Sequence, residues 1–302
     1  MDVSVIIVSY NSREVLKRCL DAVFDFTTGL DFEVIVVDNA STDGAIGVLK
    51  DYEKKHSNLK VVYSRENLGF SKGNNLGLRQ AKGKYFVFLN NDAILIENSL
   101  KKMVDWMEAH HNIGASSCLL VDNDQKISPI MSAGFFPGLR SLFGWAFFFD
   151  DLPAVAKLFK PFHIHTQLYK PDQEFFPDWI SGSFLFIRRE VVEKVGGFDE
   201  ALFMYGEDLD LCFRIAKAGW KIGYNPATKV IHIGQVAQEG APRGYILGEF
   251  SGLKFFYAKH FPGVRQTVLD LILDIAALLR VVFWLVRLKP QRAKIYLEAL
   301  FI

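Results

Sequence analysis

Four short apolar runs alternate with helix-like segments in residues 1–92, and this alternation constrains the fold more than any other feature of the sequence. The runs cover residues 3–8, 34–37, 59–63 and 85–89, and Val and Ile dominate the first two. Continuous β-branched runs are typical of strands that are buried on both faces. Strands that alternate with helices predict an α/β domain with a largely parallel sheet flanked by helices.

The segments between these runs carry signals for helix boundaries. Asn11 and Glu14 have the spacing of a capping box and predict the start of the first helix. A second helix is expected to run to about Lys55, and a third, rich in small residues, to a cap at Gly83. The glycines at 69, 73 and 77 indicate close packing of that third helix.

Polar residues follow the predicted strands at the edge where open α/β sheets bind ligands, and two of them are the acids Asp38 and Asp92. The segment after the first strand reads Ser9-Tyr10-Asn11-Ser12, and a G-x-G-x-x-G or P-loop motif occurs nowhere in the sequence. A dinucleotide-binding fold or a P-loop enzyme is therefore not supported. A nucleotidyltransferase is disfavoured too, because the Gly-rich, basic N-terminal loop expected of that class is missing.

An acidic cluster, Glu207, Asp208 and Asp210, stands where a later helix begins, and Gly219 is expected to cap that helix. Mutual repulsion should raise the pKa of at least one of these carboxyls, although the helix dipole acts in the opposite direction. A carboxylate with a pKa near neutrality suits a general base. The alternative is an acidic first turn that only complements the helix dipole.

Composition narrows the possible partners and the location of the protein. The net charge of +1 lacks the basic footprint of nucleic-acid-binding proteins. Cys19, Cys118 and Cys212 match no zinc or disulfide spacing and are expected in the core. Residues 1–8 enter a strand pattern without the features of a secretory signal, so we expect a cytoplasmic protein.

Several motifs, taken in order, resemble those of family 2 glycosyltransferases, most of all the bacterial rhamnosyltransferase-type enzymes of surface-polysaccharide assembly. They are Val8-Ser9-Tyr10-Asn11, Asp38-Asn39-Ala40-Ser41-Thr42-Asp43-Gly44, Asn67-Leu68-Gly69-Phe70, Asn90-Asn91-Asp92, Gly196-Gly197-Phe198-Asp199 and Gly206-Glu207-Asp208. The resemblance covers residues 1–235. It implies a GT-A fold with a Rossmann-like mixed sheet, a nucleotide-sugar donor, a divalent metal ion and inversion at the anomeric carbon.

The resemblance implies that Asp38 accepts a hydrogen bond from the nucleotide base. An ionised carboxylate only accepts hydrogen bonds, so it suits the ring N–H of uracil or thymine. The alternative for Asp38 is a turn-forming residue at the end of a strand. The further nucleotide-binding residues implied are Ser9, Tyr10, Asn67, Lys72 and Asn91.

The resemblance also places the metal site, because Asn90-Asn91-Asp92 stands where the family often has a D-x-D motif. Asp92 is the expected ligand, and Asn90 offers a neutral amide oxygen. His232 matches a metal-ligating histidine of the family, although a lone histidine in an apolar strand also fits a core position. The cofactor is expected to be Mn²⁺ or Mg²⁺, and an imidazole ligand would favour Mn²⁺. Residues 235–237 lack the small polar run expected after this histidine.

In the catalytic half, the resemblance assigns Asp208 as the base that takes the proton of the acceptor hydroxyl. Glu207 is expected to position the acceptor or tune Asp208, whereas Asp210 should face elsewhere by its helical angle. Trp179 and the turn Ser181-Gly182-Ser183 would lie beside the donor sugar or the acceptor. The turn at residues 196–199 is expected to be structural.

Two apolar segments leave alternatives open. Residues 135–162 are dense in Phe and Trp without a clean period, which favours either contact with a membrane or lipid-linked acceptor, or packing over the site. Residues 264–288 are apolar but interrupted by Asp270, Asp274 and Arg280, so a simple spanning helix is disfavoured. The alternatives that remain are an amphipathic helix at a membrane interface and a helix that pairs with another subunit or with the domain itself.

We therefore expect a GT-A domain over residues 1–240 and a C-terminal segment of amphipathic helices over 241–302. Residues 1–120 would form the nucleotide-binding half, and 121–240 the acceptor half with an aromatic insert at 135–175. The expected reaction moves a sugar, from dTDP-rhamnose or a UDP-sugar, to a glycan on a polyprenyl diphosphate at the inner face of the cell membrane. The alternative is a catalytically silent GT-A-like nucleotide-sugar-binding or scaffold protein, and a homo-oligomer is left open.

Overall fold

The computed structural model describes residues 1–127, 131–149, 152, 155, 158–166, 169–234 and 242–302. The strands in this part of the chain are β1 (Val3–Ser9), β2 (Phe32–Asp38), β3 (Leu59–Tyr63), β4 (Tyr85–Asn90), β5 (Ala93–Leu95), β6 (Ile113–Val121), β7 (Ala133–Gly134), β8 (Trp179–Ile180), β9 (Phe184–Arg188) and β10 (Lys221–His232). The helices are α1 (Arg13–Phe26), α2 (Ala45–Lys55), α3 (Gly69–Leu78), α4 (Ser99–Ala109), α5 (Leu139–Ala146), α6 (Arg189–Val195), α7 (Glu207–Lys217), α8 (Pro242–His260), α9 (Val264–Val286) and α10 (Pro290–Ala299).

One mixed sheet organises the molecule, with the strand order β3-β2-β1-β4-β9-β6-β10-β5. The first four strands in this order are parallel, whereas β9 runs antiparallel to both of its neighbours and β5 runs antiparallel to β10. Ser9 pairs with Asp38, and Val8 pairs with Asn90. The carboxyl ends of β1, β2 and β4 therefore meet at one edge, as the sequence predicts. A short antiparallel pair, β7 and β8, lies outside this sheet.

Each face of the sheet has its own apolar core, because successive side chains of a strand point to opposite faces. Ile6 belongs to one core and Ile7 to the other, and both are fully buried. The core around Ile7 includes apolar residues of α1, α2 and α4. The core around Ile6 includes residues of α5 to α9. The three cysteines are buried and unpaired, which confirms their predicted place in the core.

Two predicted helix boundaries are wrong. The N-cap of α1 is Ser12 rather than Asn11, and Asn11 uses its Oδ1 to accept the N–H of Thr42 instead. Helix α3 ends at Leu78, short of Gly83, whose N–H donates to Ser4 Oγ. The Asn11 side chain and the Gly83 backbone each bond to a residue that is distant in the chain. A local capping pattern does not indicate such bonds. The close helix packing predicted for the glycines is confirmed, since a Cβ at residue 77 would lie 2.6 Å from Ile6 Cγ2.

The described part of the aromatic insert packs largely inward. Leu142 and Trp145 of α5 are buried in the core around Ile6, whereas Phe143 and Leu158 remain exposed. Of the two alternatives left open for this segment, the burial of α5 favours packing. The insert is clamped by the C-terminal helices.

Arg280 of α9 bonds to the end of α5 and so holds the insert against the C-terminal helices. Its side chain is buried and donates to the main-chain carbonyls of Trp145, at 2.9 Å, and Ala146, at 3.3 Å, at the end of α5. Its guanidinium also lies 4.1 Å from the Trp145 ring centroid. The charge that interrupts the apolar segment at this position thus serves internal packing. Within the described residues, no helix has both the length and the apolar character needed to cross a bilayer.

Candidate active site

The edge formed by β1, β2 and β4 presents a buried carboxylate. Asp38 ends β2, and its Oδ2 accepts the N–H of Ser41 at 3.1 Å. Its Oδ1 is buried and accepts no hydrogen bond from the described part of the chain. An unsatisfied buried acceptor costs about 1–3 kcal/mol. Asp38 is therefore poised to accept an N–H from a ligand, which is the role that the family resemblance implies.

The loop at residues 67–70 lies over this edge and connects it to the second half of the chain. Asn67 Oδ1 accepts the N–H of Gly69, and the Gly69 carbonyl accepts Asn39 Nδ2, each at 3.0 Å. Gly69 has φ +78°, and a Cβ there would collide with the ring of Phe203. The N–H of Phe70 donates to the Phe203 carbonyl at 2.7 Å. This loop therefore positions the segment that leads into α7.

The other predicted nucleotide-binding residues fall into two groups. Ser9 is buried, and its Oγ lies 2.9 Å from Ser12 Oγ, which also accepts Asn91 Nδ2 at 2.6 Å. Tyr10, Asn67 and Lys72 lie at the surface. Ser9 and Asn91 are thus joined through Ser12 beneath the edge, whereas the exposed group can reach a ligand from solvent.

The predicted metal-binding residues lie together at the far end of the edge. His232 ends β10 and pairs with Ala93 of β5, so its ring is brought beside the triplet at 90–92. His232 Nε2 lies 3.4 Å from Asp92 Oδ1 and 3.4 Å from Asn90 Nδ2. The backbone holds the same arrangement, because the N–H of Ile233 donates to the Asp92 carbonyl at 3.0 Å. Residues 235–237, which lack the small polar run expected after His232, lie outside the described residues.

This donor set fits a divalent cation that is shared with a ligand. In the described part of the chain, no three His, Cys, Asp or Glu side chains gather closely enough to hold a metal ion by themselves. Asp92 and His232 supply a carboxylate and an imidazole, and Asn90 supplies an amide. Mg²⁺ and Mn²⁺ are commonly held by one or two protein groups together with substrate phosphates and water. The residues present therefore fit a metal that binds together with a diphosphate.

Helix α7 brings the acidic cluster to the site, as the sequence predicts. Its N-cap, Gly206, has φ +89°, and a Cβ there would lie 2.7 Å from the Cα of Gly252 in α8. Glu207 is buried, and burial together with the negative charge of Asp208 raises its pKa to about 8. Its Oε2 accepts no hydrogen bond from the described residues. Glu207 is thus held as a neutral acid near pH 7.

Asp208 is the carboxylate beside it. Burial raises its pKa, while the N–H groups of Leu209 and Gly182 and the charge of His163 act in the opposite direction. Oδ1 accepts the N–H of Leu209 at 2.7 Å, and Oδ2 accepts the N–H of Gly182 at 3.4 Å. The predicted rise in pKa is confirmed in direction, but burial contributes more than the predicted repulsion between carboxylates. An ionised carboxylate with increased proton affinity suits a general base.

Asp210 faces away from this pair, as its helical angle predicts. It is fully buried, and its Oδ1 accepts Lys259 Nζ at 2.7 Å and His260 Nε2 at 2.8 Å. Arg214 Nε donates to Oδ2 at 2.8 Å. These cationic partners hold the pKa of Asp210 below its usual value, against the effect of burial. Asp210 therefore joins α7 to α8.

The turn at residues 181–183 lies between the metal-binding residues and Asp208. The Ser183 carbonyl accepts the N–H of Asn90 at 3.0 Å, and Ser181 Oγ lies 2.9 Å from Ser183 Oγ. Gly182 contacts Asp208 through its N–H, and a Cβ at Gly182 would lie 3.0 Å from the ring of Phe70. This turn therefore brings the predicted metal-binding, catalytic and sugar-contacting residues close to one another.

Behind the turn, Trp179 and a histidine–glutamate pair close the site. Trp179 is buried, and its Nε1 donates to the Phe162 carbonyl at 3.1 Å. His163 stacks edge-on against Trp179 at 5.4 Å, and its Nε2 lies 2.7 Å from Glu249 Oε1 in α8. The motifs in the sequence do not predict His163 or Glu249 as residues of the site. They are far apart in the chain and belong to no motif, so the only available signal was that both are ionisable residues within apolar segments.

Comparison with known proteins places this arrangement in a family. The model of glycosyl transferase family 2 matches residues 4–196, and that of glycosyl transferase family group 2 matches residues 162–243. The chain belongs to glycosyltransferase family 2. The family predicted from the motifs is thereby confirmed, and this family 2 glycosyltransferase is an enzyme that transfers a sugar.

Two curated relatives are rhamnosyltransferases by name. The N-acetylglucosaminyl-diphospho-decaprenol L-rhamnosyltransferase of Mycobacterium tuberculosis is 27% identical over 274 residues, which cover 86% of this chain and 85% of the relative. Rhamnosyltransferase WbbL of Escherichia coli is 28% identical over 237 residues, which cover 76% of this chain and 83% of the relative.

A solved structure confirms the predicted GT-A fold of this family 2 glycosyltransferase. The mannosyltransferase of Pyrobaculum calidifontis in complex with GDP-Man and Mn²⁺ superimposes with a TM-score of 0.58. The superposition covers 98% of this chain and 85% of the mannosyltransferase chain, and the sequence identity is 20%. At that identity, the likeness establishes the fold alone.

Proposed function

We propose that this glycosyltransferase moves rhamnose from dTDP-rhamnose, with a UDP-sugar as the alternative donor, to a lipid-linked glycan in surface-polysaccharide synthesis. The single observation that carries the proposal is the turn at 181–183, which is hydrogen-bonded to both Asn90 and Asp208. The names of the two rhamnosyltransferase relatives support the sugar and the lipid-linked acceptor.

Asp38 supports a pyrimidine nucleotide as the leaving group. Its buried Oδ1 accepts no hydrogen bond from the described residues, and it stands at the carboxyl end of β2. Thymine and uracil each carry a ring N–H that can donate to this oxygen, whereas the ring N3 of cytosine is an acceptor that a carboxylate repels. The exposed Tyr10, Asn67 and Lys72 are then positioned to contact the ribose and phosphates.

Asp92 and His232, with Asn90 beside them, would hold the divalent cation. When bound, this ion would offset the negative charge of the nucleotide diphosphate. The neighbouring Asn90 and Asn91 add no negative charge, so the site suits an anionic ligand better than a cluster of carboxylates would. Mn²⁺ is the preferred ion, because His232 would contribute an imidazole nitrogen.

Asp208 is proposed as the general base of a single in-line displacement. The acceptor oxygen forms a bond to the anomeric carbon, the bond from that carbon to the nucleotide diphosphate breaks, and the acceptor proton passes to Asp208. One displacement inverts the configuration and needs no enzyme nucleophile. Burial keeps the proton affinity of Asp208 high, and the N–H groups of Leu209 and Gly182 fix its two oxygens.

The neutral Glu207 and the pair His163–Glu249 are proposed to line the acceptor side. A protonated Glu207 can donate a hydrogen bond to an acceptor hydroxyl, which an ionised one cannot. His163 and Glu249 are partly exposed next to Trp179, so they can reach an acceptor sugar that enters along that wall. We propose that the enzyme works at the inner face of the membrane, where a lipid-linked acceptor is held.

The experiment compares wild type with Asp208→Asn, using purified enzyme, Mn²⁺, dTDP-rhamnose and a polyprenyl-diphosphate glycan. We expect the variant to lose transfer by roughly 10²–10⁴-fold, the range of general-base catalysis, while dTDP-rhamnose still raises its melting temperature. Asp105→Asn, at an exposed position on α4, is the matched control and should retain activity.

Each alternative predicts a different result. Transfer that is unchanged in Asp208→Asn would eliminate Asp208 as the base. Transfer from UDP-sugars but not from dTDP-rhamnose would keep the mechanism and replace the donor. A wild type that binds nucleotide sugars but transfers none would favour a silent scaffold.

A further inference from the structure

Helix α9 displays a regular apolar stripe on the face that points away from its own domain. The stripe consists of residues separated alternately by four and three positions: Val264, Val268, Leu271, Ile275, Leu278, Val282 and Leu285. All are exposed except Ile275, which is partly buried; Leu271 is 60% exposed, and Leu278 and Leu285 are each 51% exposed. An alternating spacing of four and three over three heptads is the signature of a coiled-coil seam.

The residue types at the two seam positions are also sorted. If Val268 is assigned to position a, then all three a positions of the stripe, 268, 275 and 282, are β-branched. The d positions that follow them, 271, 278 and 285, are all Leu. In parallel coiled coils, β-branched residues at a with Leu at d favour two strands over three or four. A lipid surface would require an apolar face but would not require this sorting.

The opposite face of α9 is already in use. Leu269, Leu273, Ala276 and Ala277 are buried against the enzyme's own core, where α9 packs on α5, α8 and α10. The seam is therefore free to take a partner without displacing any internal contact. It lies on a helix that Arg280 anchors to the domain, so it is presented in a fixed position.

We propose that two copies of this chain form a parallel dimer through the seam of α9. The helix has 23 residues, which span about 34 Å at 1.5 Å per residue. The exposed apolar surface of the seam and of the flanking Val286 and Leu288 amounts to roughly 600–900 Å² per copy, close to the ~800 Å² per partner of a standard specific interface. The available surface is therefore sufficient for a stable dimer.

The symmetry of such a pair has a consequence for the active sites. In a parallel dimer the two-fold axis runs along the paired helices, so each seam residue meets its own copy. A feature displaced along the axis of α9 is displaced in the same direction in both copies. The two active sites therefore lie at the same level along this axis.

The first test measures mass in solution by sedimentation equilibrium at micromolar concentration. We expect wild type to be a dimer and Leu278→Glu to be a monomer with at least a hundred-fold weaker association, because the two introduced carboxylates would meet at the seam. Ile127→Glu is the matched control, since Ile127 is 43% exposed and lies in a different region, next to β6; it should remain a dimer. Circular dichroism should show that both variants are folded, because neither position is buried.

The second test uses single cysteines to determine the orientation of the helices. Leu271→Cys and Leu285→Cys should each form a disulfide with the same residue of the other copy under mild oxidation. Wild type should not cross-link, because Cys19, Cys118 and Cys212 are buried. In an antiparallel pair, two positions fourteen residues apart could not both meet their own copies.

Three results would overturn the proposal. One is a wild type that is monomeric at micromolar concentration. Another is a dimer in which Leu278→Glu leaves the association unchanged or in which only one of the two cysteine variants cross-links. The last is a monomer that cosediments with phosphatidylglycerol vesicles and loses this binding in Leu278→Glu, which would assign the stripe to a membrane surface.

Discussion

Glu207 provides a strict test of the electrostatics of the site, because replacing it by Gln should make the protein more stable. The carboxyl is 5% exposed, and its pKa is raised from 4.5 to about 8. The folded state therefore keeps the proton at pH values where the unfolded chain has released it. Ionisation stabilises only the unfolded state in this range, so stability decreases as the pH rises from about 4.5 to about 8. Gln has the shape of the protonated acid and cannot ionise.

The magnitude follows from the shift in pKa. Each unit corresponds to about 1.4 kcal/mol, and pH 7 lies roughly 2.5 units above the ordinary pKa, so Glu207→Gln should raise the free energy of unfolding by about 3 kcal/mol. The gain should vanish at pH 4 and reach about 5 kcal/mol above pH 8. For a chain of this size, 3 kcal/mol corresponds to a rise in Tm of roughly 5 °C.

The assay is urea denaturation of wild type and Glu207→Gln at pH 5, 6, 7 and 8. Glu193→Gln, at an exposed position on α6, is the matched control and should leave stability unchanged at every pH. A gain that grows with pH in Glu207→Gln alone would support a neutral, buried Glu207. A loss of stability at pH 7, or a gain that does not depend on pH, would refute the reasoning, because it would mean that Glu207 is ionised and stabilised in the folded protein.

Two further predictions concern the other buried carboxylates. Asp210→Asn should lower the free energy of unfolding by about 3–5 kcal/mol at pH 7, because the cations at Arg214 and Lys259 lose their buried partner. The pKa of Asp210 is lowered, so its contribution is present above pH 3.8 and is lost as the pH falls toward the lowered value; urea denaturation should show a smaller loss at pH 3 than at pH 7. Asp38→Ala should weaken dTDP binding by roughly 10–100-fold in calorimetry, because a hydrogen bond to a charged group contributes about that much. If the variant bound dTDP with the affinity of wild type, the proposed contact with the base would be excluded.

The elements that could be predicted from the sequence are those whose signals are local. A β-branched run such as residues 34–37 is buried by its own composition, and its strand was predicted to within two residues at either end. Parallel pairing then brings Ser9, Asp38 and Asn90 to one edge without further information. The acidic start of α7 was equally evident, because Gly206 and the helical period of the following residues are adjacent in the chain.

The features that could not be predicted depend on contacts between distant segments. Asn11 has the spacing of a helix cap, but its Oδ1 accepts the N–H of Thr42 instead. That hydrogen bond can form only after β1 and β2 have paired. In the described part of the aromatic insert, Trp145 packs against Phe250 of α8 and Arg280 of α9, which are more than a hundred positions away in the chain. The pair His163–Glu249 joins residues that are 86 positions apart, and nothing near either residue indicates the other.

Helix α8 contacts the acidic segment at the start of α7, although it lies almost entirely beyond the segments that match the family models. Lys259 and His260 of α8 hold Asp210, Glu249 holds His163, and Gly252 lies against the first residue of the turn that begins α7. The contact of Gly252 with Gly206 brings α8 next to the acidic pair, and burial is the largest cause of the raised pKa of both Glu207 and Asp208. If α8 lines the proposed acceptor side and Asp208 is the base, changes in α8 should alter acceptor choice and the pH dependence of transfer together.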